Sequence, residues 1–339
     1  MLTHEKVKLH TSKYGTVDAI APVILSASRA TDIPAFHHKW FLDKLEKGYS
    51  VWVNPYNSKP QFVSYQNVKG IVFWSKNPDV DANYDIISHL NDKKIEFYYQ
   101  YTLNNYEKEG FELGLPPIDR RIDNFIRLSQ FVGRSRVIWR FDPLILTKNL
   151  TVDELVKRVE DIGDCLKGYT NKLVFSFVDI NAYKKVKRNL VNETQLFTND
   201  TIDGAEFTIE EMKEMASKLA QLRDDWKSAG WDLELATCGE AFDLDQYGIS
   251  HNRCVDAELF KKLTKDEEFI KYLDKYTLTQ FKDGGQRPLC GCMLSKDIGQ
   301  YNTCQHFCTY CYANTSKYEV NKNCKYLSKT SDSLLPFQI

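Results

Sequence analysis

Seven short apolar runs, alternating along the chain with amphipathic stretches, constrain the fold more than any other feature. The runs are Val23–Ser28, Val51–Asn54, Gly70–Ser75, Glu96–Leu103, Arg136–Phe141, Lys172–Val178 and Asp232–Cys238. They are rich in β-branched and aromatic residues, which marks them as strands. Their apolar character is nearly continuous, as expected for parallel strands covered on both faces. Between them, Phe36–Lys47, Ile118–Val132 and Glu210–Ala229 have helical periodicity. Thr151-Val-Asp-Glu154 and Thr208-Ile-Glu-Glu211 have capping-box form, a hydroxyl followed three residues later by a carboxylate. Seven β–α alternations predict an α/β fold of the TIM-barrel type, a (β/α) barrel closed or partly open. No repeat, low-complexity tract or Pro/Gly linker marks off a further domain. The expected organisation is a barrel over residues 1–285, with a cysteine-rich segment over 286–339 packed on it.

Active sites of such barrels lie at the C-terminal strand ends. Those ends carry Arg29 and Asp32, Asn54, Ser75 and Lys76, Gln100 and Thr102, Arg140 and Asp142, Asp179, and Cys238 with Glu240. Each alone could be a solvated charge or a structural ion pair. Facing one mouth together, they predict a polar, charged pocket. With 339 residues and 42% hydrophobic content, the chain can bury a large core. Its net charge of −1 argues against a general polyanion binder. No apolar run approaches the roughly 20 residues needed to span a bilayer. The first residues lack an apolar signal region, so a cytoplasmic protein without membrane partners is expected. In that compartment nine cysteines read as metal ligands more than as disulfides.

Six of the nine fall in the last fifty residues: Cys290, Cys292, Cys304, Cys308, Cys311 and Cys324. Cys304-Gln-His-Phe-Cys308-Thr-Tyr-Cys311 sets three thiols at CxxxCxxC spacing. Three thiolates on a 4Fe–4S cubane leave one iron open to a small chelating molecule. The alternatives are half of a zinc site, completed by His306 or Cys324, and a disulfide framework. A second set, Cys238, Cys254, Cys290 and Cys292, has the four thiols that ligate a cubane or a zinc ion, and is expected to converge on one further metal centre. The plain alternative is buried free thiols. Cys165 lies on the apolar side of a helical pattern and is expected in the core; Cys324 is unassigned.

The CxxxCxxC spacing, with Tyr310 before the last cysteine, resembles that of radical S-adenosylmethionine enzymes. The stretch Gln300-Tyr-Asn-Thr-Cys-Gln-His-Phe-Cys-Thr-Tyr-Cys-Tyr-Ala-Asn314 resembles the spore photoproduct lyase-like branch, in which a histidine between the first two cysteines and a Tyr-Cys-Tyr-Ala tail are common. Phe73-Trp-Ser-Lys76 and Arg140-Phe-Asp-Pro143 look like strand-end motifs of that branch. More closely, the chain resembles a bacterial family with a domain-of-unknown-function label, whose radical-type cysteines also lie at the C-terminus. Ser26-Ala-Ser-Arg29, Cys290-Gly-Cys292 and Ser295-Lys-Asp-Ile-Gly299 fit that family. This resemblance covers nearly all of the chain and supplies no substrate.

The resemblance implies that Cys304, Cys308 and Cys311 hold a 4Fe–4S cluster, with the amino and carboxylate groups of S-adenosylmethionine on the fourth iron. Ser75 and Lys76 would contact the methionine part of the cofactor. Cys238-Gly-Glu240 is similar to the Gly-Gly-Glu element that holds its amino group, although a cysteine opens it here. Arg140, Asp142 and Tyr310 complete the cofactor-binding candidates. The implied reaction breaks the cofactor's C5′–S bond, and the resulting 5′-deoxyadenosyl radical takes hydrogen from an unknown substrate. A flavodoxin or ferredoxin would supply the electron. Trp74, Tyr99, Tyr101 and Trp139 are candidates for stacking on adenine or substrate, with core packing as the alternative. Because the motif lies late in the chain, the C-terminal segment must return to the barrel mouth, as in a circular permutation, with its loop leading into Asn314–Lys322. Two other functions compete. One is an iron–sulfur redox or sensor protein. The other is a nucleic-acid lesion-binding protein, suggested by Lys184-Lys-Val-Lys-Arg188, a run that reads better as a solvated helix face.

Overall fold

Near-continuous apolar runs become parallel strands when helices cover both of their faces, and most of the runs here do so. The computed structural model describes residues 3–275 and 282–338. In chain order the strands are β1 (Glu5–Thr11), β2 (Gly15–Ala21), β3 (Ile24–Ala27), β4 (Tyr49–Val53), β5 (Pro60–Ser64), β6 (Gly70–Ser75), β7 (Glu96–Thr102), β8 (Val137–Leu144), β9 (Lys172–Phe177), β10 (Glu234–Thr237), β11 (Ser250–His251) and β12 (Lys296–Asp297). The helices are α1 (His38–Lys47), α2 (Tyr84–Asp92), α3 (Ile118–Val132), α4 (Val152–Leu166), α5 (Lys184–Glu193), α6 (Ile209–Ser228), α7 (Ala257–Leu263), α8 (Glu267–Asp274) and α9 (Lys317–Cys324). A π-helical turn, Ile33–His37, runs into α1.

Eight strands form one sheet in the order β12–β3–β6–β7–β8–β9–β10–β11. Every pairing in it is parallel. Alternate residues sort onto two faces. Leu25, Phe73, Tyr99, Trp139 and Phe175 pack outward into a core shared with Phe41 of α1, Leu128 of α3, Leu155 of α4 and Met215 of α6. Ile24, Val72, Tyr98, Ile138, Val174 and Ala236 point the other way, against Phe260 of α7 and Phe269 and Leu273 of α8. Each large side chain so buried contributes about 1.5–3 kcal/mol. Further along the same inner face the side chains turn polar, with Gln100, Arg140, Ser176 and Cys238 at the C-terminal ends.

The structure departs from expectation in a second, smaller sheet and at the start of the helix after the cysteine loop. Val51–Asn54 does form a strand, but as β4 in a separate four-stranded sheet of order β1–β2–β5–β4. That sheet rests on an antiparallel hairpin, β1 and β2, which the sequence reading missed; its apolar residues are few and alternate with exposed charges. Among the described residues no ladder joins β11 to β12, so the large sheet is open. The helix after the cysteine loop starts at Lys317 because Ser316 caps it, accepting from the Glu319 amide at 3.2 Å. Thr208 and Glu211 form the reciprocal capping box on α6. No helix among the described residues is long and apolar enough to cross a membrane.

Candidate active site

A cavity of about 630 Å³ opens at the C-terminal ends of the parallel strands. All seven cysteines of the two sets line it. The loop bearing Cys304, Cys308 and Cys311 follows β12 and is stitched to residues 111–114 by its backbone. The Thr309 amide donates to Phe111 O at 2.9 Å and the Gly114 amide to His306 O at 2.8 Å. A bridge pairs Glu112 with Cys308. Asn314 Nδ2 holds Cys304 O at 2.8 Å. Phe307, inside the motif, takes a φ of 52° and tightens the turn.

Two buried carboxylates fix this loop to the sheet. Asp32 follows β3 and is 4% exposed. It accepts from the Ala35 amide, Ser75 Oγ, the Lys76 amide and His306 Nε2, at 2.7–2.9 Å. Burial pushes its carboxyl up, but the hydrogen bond and charge of His306 outweigh this and hold it below the ordinary carboxylate value. His306 thus spends Nε2 on Asp32, which locks the middle of the motif to the ends of β3 and β6. Glu112 is the second carboxylate. It receives Lys76 Nζ at 3.0 Å, Arg121 Nη1 at 3.2 Å, Asn104 Nδ2 at 3.2 Å and the Tyr310 hydroxyl. Burial pushes Glu112 up, while Lys76 and Arg121 bring it below its ordinary value. Lys76 Nζ also donates to Tyr310 OH at 2.7 Å. Ser75, Lys76 and Tyr310, named from the sequence, therefore stand together beside the cysteine loop. Glu112, Asn104 and Arg121 were missed, because only the long-range contact with Lys76 and Tyr310 gives them meaning.

The second set gathers at the same cavity. Cys238 Sγ and Cys254 Sγ are 3.3 Å apart. Arg140 Nη1 donates to Cys254 Sγ at 3.1 Å and to Gln100 Oε1 at 3.0 Å. Its Nε reaches Asp142 Oδ2 at 3.1 Å, and Ser176 Oγ donates to the same carboxylate. Glu240, expected in the lining, is absent from it; its carboxylate accepts from the Phe177 amide at 3.0 Å, and burial pushes its carboxyl up to about 7. All nine cysteines are free thiols. Among the described residues no group of three or more His, Cys, Asp or Glu side chains is already spaced around a single metal ion.

Several expectations fail on packing. Asn54 lies between β4 and β5 and does not line the cavity, although its neighbours Pro55 and Tyr56 do; its backbone amide donates to Lys59 O. Gln100 is buried beneath Arg140. Tyr99, Tyr101 and Trp139 are fully buried in the outer core, so of the four aromatics only Trp74 reaches the cavity, with the Arg29 guanidinium 4.6 Å over its ring. Cys165 is exposed, not in the core. The basic run on α5 is partly occupied, since Lys185 and Arg188 donate to the carbonyls of Tyr312 and Thr315 and Lys187 pairs with Asp203.

No curated protein and no solved structure matches this chain. A family described as a domain of unknown function, DUF1848, matches residues 24–313. That span runs from β3 to just past the cysteine loop and includes all seven cavity cysteines. The chain belongs to the DUF1848 family.

Proposed function

We propose that this protein is a radical S-adenosylmethionine enzyme that holds a 4Fe–4S cluster on Cys304, Cys308 and Cys311. One observation carries the reading: three free thiols at CxxxCxxC spacing line a cavity at the ends of parallel strands, next to Lys76 and Tyr310. The donor set suits such a cluster. Burial pushes the Cys304 and Cys308 thiols up, so a bound cation is what would keep them as thiolates. Cys311 Sγ accepts the Ala313 amide at 3.3 Å, the kind of hydrogen bond that tunes a cluster sulfur. The preorganised Asp32–His306 contact would hold the loop through the reaction.

When bound, the cluster and S-adenosylmethionine supply one-electron cleavage of a carbon–sulfur bond and hydrogen abstraction from a substrate. The chain's own part is binding and orientation. Lys76 presents an ammonium fixed by Glu112 and Tyr310, suited to the cofactor's carboxylate. Ser75 is tied to Asp32 and keeps the end of β6 in place. Asp142 offers a carboxylate held below its ordinary value, burial being outweighed by Arg140, and suited to a cationic group. We read the sheet as a partial barrel in permuted order, residues 1–285 completed by 286–339. In its support, β12 comes last in the chain but first in the sheet order, and the cysteine loop and then α9 follow it. An electron donor of flavodoxin or ferredoxin type is part of the proposal.

The test is anaerobic reconstitution with iron and sulfide, reduction, and chromatography for 5′-deoxyadenosine. The wild type should form it, and Cys308→Ala should form none while keeping its far-ultraviolet circular dichroism. Cleavage retained by Cys308→Ala overturns the assignment. A wild type that binds iron and never cleaves the cofactor favours a redox or sensor protein.

A further inference from the structure

We propose that Cys238, Cys254, Cys290 and Cys292 ligate a second iron–sulfur cluster, a four-thiolate cubane in the wall of the same cavity. The four thiols come from three chain segments: the end of β10, the loop before α7, and the stretch before β12. Folding brings them into one chain of contacts. Cys238 Sγ lies 3.3 Å from Cys254 Sγ, and Cys292 lies close enough to Cys254 and Cys290 to interact electrostatically with both. None is oxidised to a disulfide.

Charge supports a ligand of several negative charges. Two guanidiniums face the sulfurs: Arg140, bonded to Cys254, and Arg29, which lies in the field of Cys292 and Cys254. Arg140 has Asp142 as a partner. Arg29 has no ion pair within 4 Å among the described residues, although Asp297 lies in its field; its Nη1 donates to Ser295 Oγ at 3.4 Å, and its Nη2 is buried without a hydrogen bond. A largely buried guanidinium with an unpaired nitrogen gains from a further anion beside it. A cubane with four thiolates carries about two negative charges in its oxidised form; Arg29 would offset part of this, and Arg140, shared with Asp142, would add a hydrogen bond to a ligating sulfur. The sulfurs also have donors already aimed at them. The Val255 amide reaches Cys292 at 3.4 Å and Asn252 Nδ2 reaches Cys254 at 3.5 Å. Such bonds set cluster potentials.

Zinc suits the site less well. Structural zinc sites are closed and favour paired C-x₂₋₄-C ligands. Here Cys290 and Cys292 enclose one glycine, and all four thiols line an open cavity. Cys238 and Cys290 are only half-buried, so the cavity side gives the sulfurs room to spread around a cluster. On ligation the four thiol protons leave to solvent and four iron–sulfur bonds form.

This inference is independent of the radical reading, and the experiment separates them. The triple variant Cys304→Ala/Cys308→Ala/Cys311→Ala removes the proposed radical site. Reconstituted anaerobically, it should hold about four irons and four sulfides per chain, against about eight of each in the wild type. Adding Cys254→Ala should abolish that remainder. If the triple variant unfolds, Mössbauer spectra of the wild type decide, with two clusters expected and only one perturbed by S-adenosylmethionine. A folded triple variant without iron, one zinc per chain, a Cys238–Cys254 disulfide, or a single cluster in the wild type overturns the proposal. A wild type that never cleaves the cofactor, beside a triple variant that keeps its iron, refutes the radical reading alone.

Discussion

Replacing Gly114 by alanine tests whether backbone stitching sets the position of the cysteine loop. A Cβ at this residue would lie 2.3 Å from Gln305 O and 2.8 Å from His306 C and O. These are main-chain atoms, so no rotamer relieves the overlap. Ordinary contact begins near 3.5 Å, and the two segments must therefore part by roughly 1 Å. Overpacking of this kind costs about 1–3 kcal/mol. The separation also strains the hydrogen bonds Gly114 N–His306 O and Thr309 N–Phe111 O, each worth about 1 kcal/mol. Together these give a destabilisation of about 2–4 kcal/mol, centred on the segment between Cys304 and Cys308. The assay combines thermal denaturation, amide hydrogen exchange and iron content after reconstitution. Melting should fall by several degrees, and exchange should rise at residues 305–309 more than in α4 or α6. Iron held by the Cys304–Cys311 loop should drop. An unchanged melting temperature with unchanged exchange at Thr309 would refute the argument.

Gly163→Ala places a Cβ 2.2 Å from the Trp226 ring between α4 and α6, so it should lower melting by a comparable amount while leaving iron content unchanged. Lys296 stacks 3.4 Å from the Trp52 ring centroid, and burial lowers its amine from 10.5 to about 8. The folded state then binds fewer protons than the unfolded one between pH 8 and 10.5, so stability from this residue rises with pH across that window. At neutral pH the burial penalty of about 3 kcal/mol exceeds a cation–π gain of about 0.5–2 kcal/mol. Lys296→Met should therefore stabilise by about 1 kcal/mol at pH 7, and a larger gain at pH 10 than at pH 7 would count against this. Asp297→Ala removes the acceptor of four hydrogen bonds at 2.6–2.9 Å and should reduce iron in both cysteine sets; loss from one set alone would contradict the shared anchoring.

The large sheet was legible because burial on both faces leaves a mark in the sequence. The runs 70–75, 96–102 and 172–177 are apolar on outer and inner positions alike, and no other element needs that pattern. The small sheet left a weaker mark. In β1 only Val7 and Leu9 pack inward, between exposed Lys6, Lys8 and His10. β4 was misassigned for the opposite reason, since Val51 and Val53 are as buried as a barrel strand, though against Phe62 and not a helix layer. Cys165 was misplaced by one residue of helical phase: Leu155, Val159, Ile162 and Leu166 form the buried stripe of α4, and the thiol points off it. At the site, cysteine spacing was readable locally, whereas the trap around Glu112 was not. Two of its four partners, Lys76 and Tyr310, lie 36 and 198 positions away from it, and no local period encodes such a distance.

The two cysteine sets are joined by a very short element. Cys290 and Cys292 precede β12 and Cys304, Cys308 and Cys311 follow it, so the two residues of that strand fix where both groups approach the cavity. Two ladder positions, Lys296 with Leu25 and Asp297 with Ser26, contribute little by themselves. The Asp297 carboxylate adds what the ladder lacks, taking Ser26 Oγ, Ser28 Oγ and the Arg29 and Gly299 amides. One of those donors is the backbone of Arg29, whose guanidinium faces the second cysteine set. Another is Gly299, where a Cβ would collide with Ser28 Oγ at 2.0 Å, so only glycine lets the chain turn from β12 toward the cysteine loop. Anchoring of the late segment, placement of the buried cation and the approach of the loop therefore share one carboxylate. A change at Asp297 cannot disturb one of them without the others.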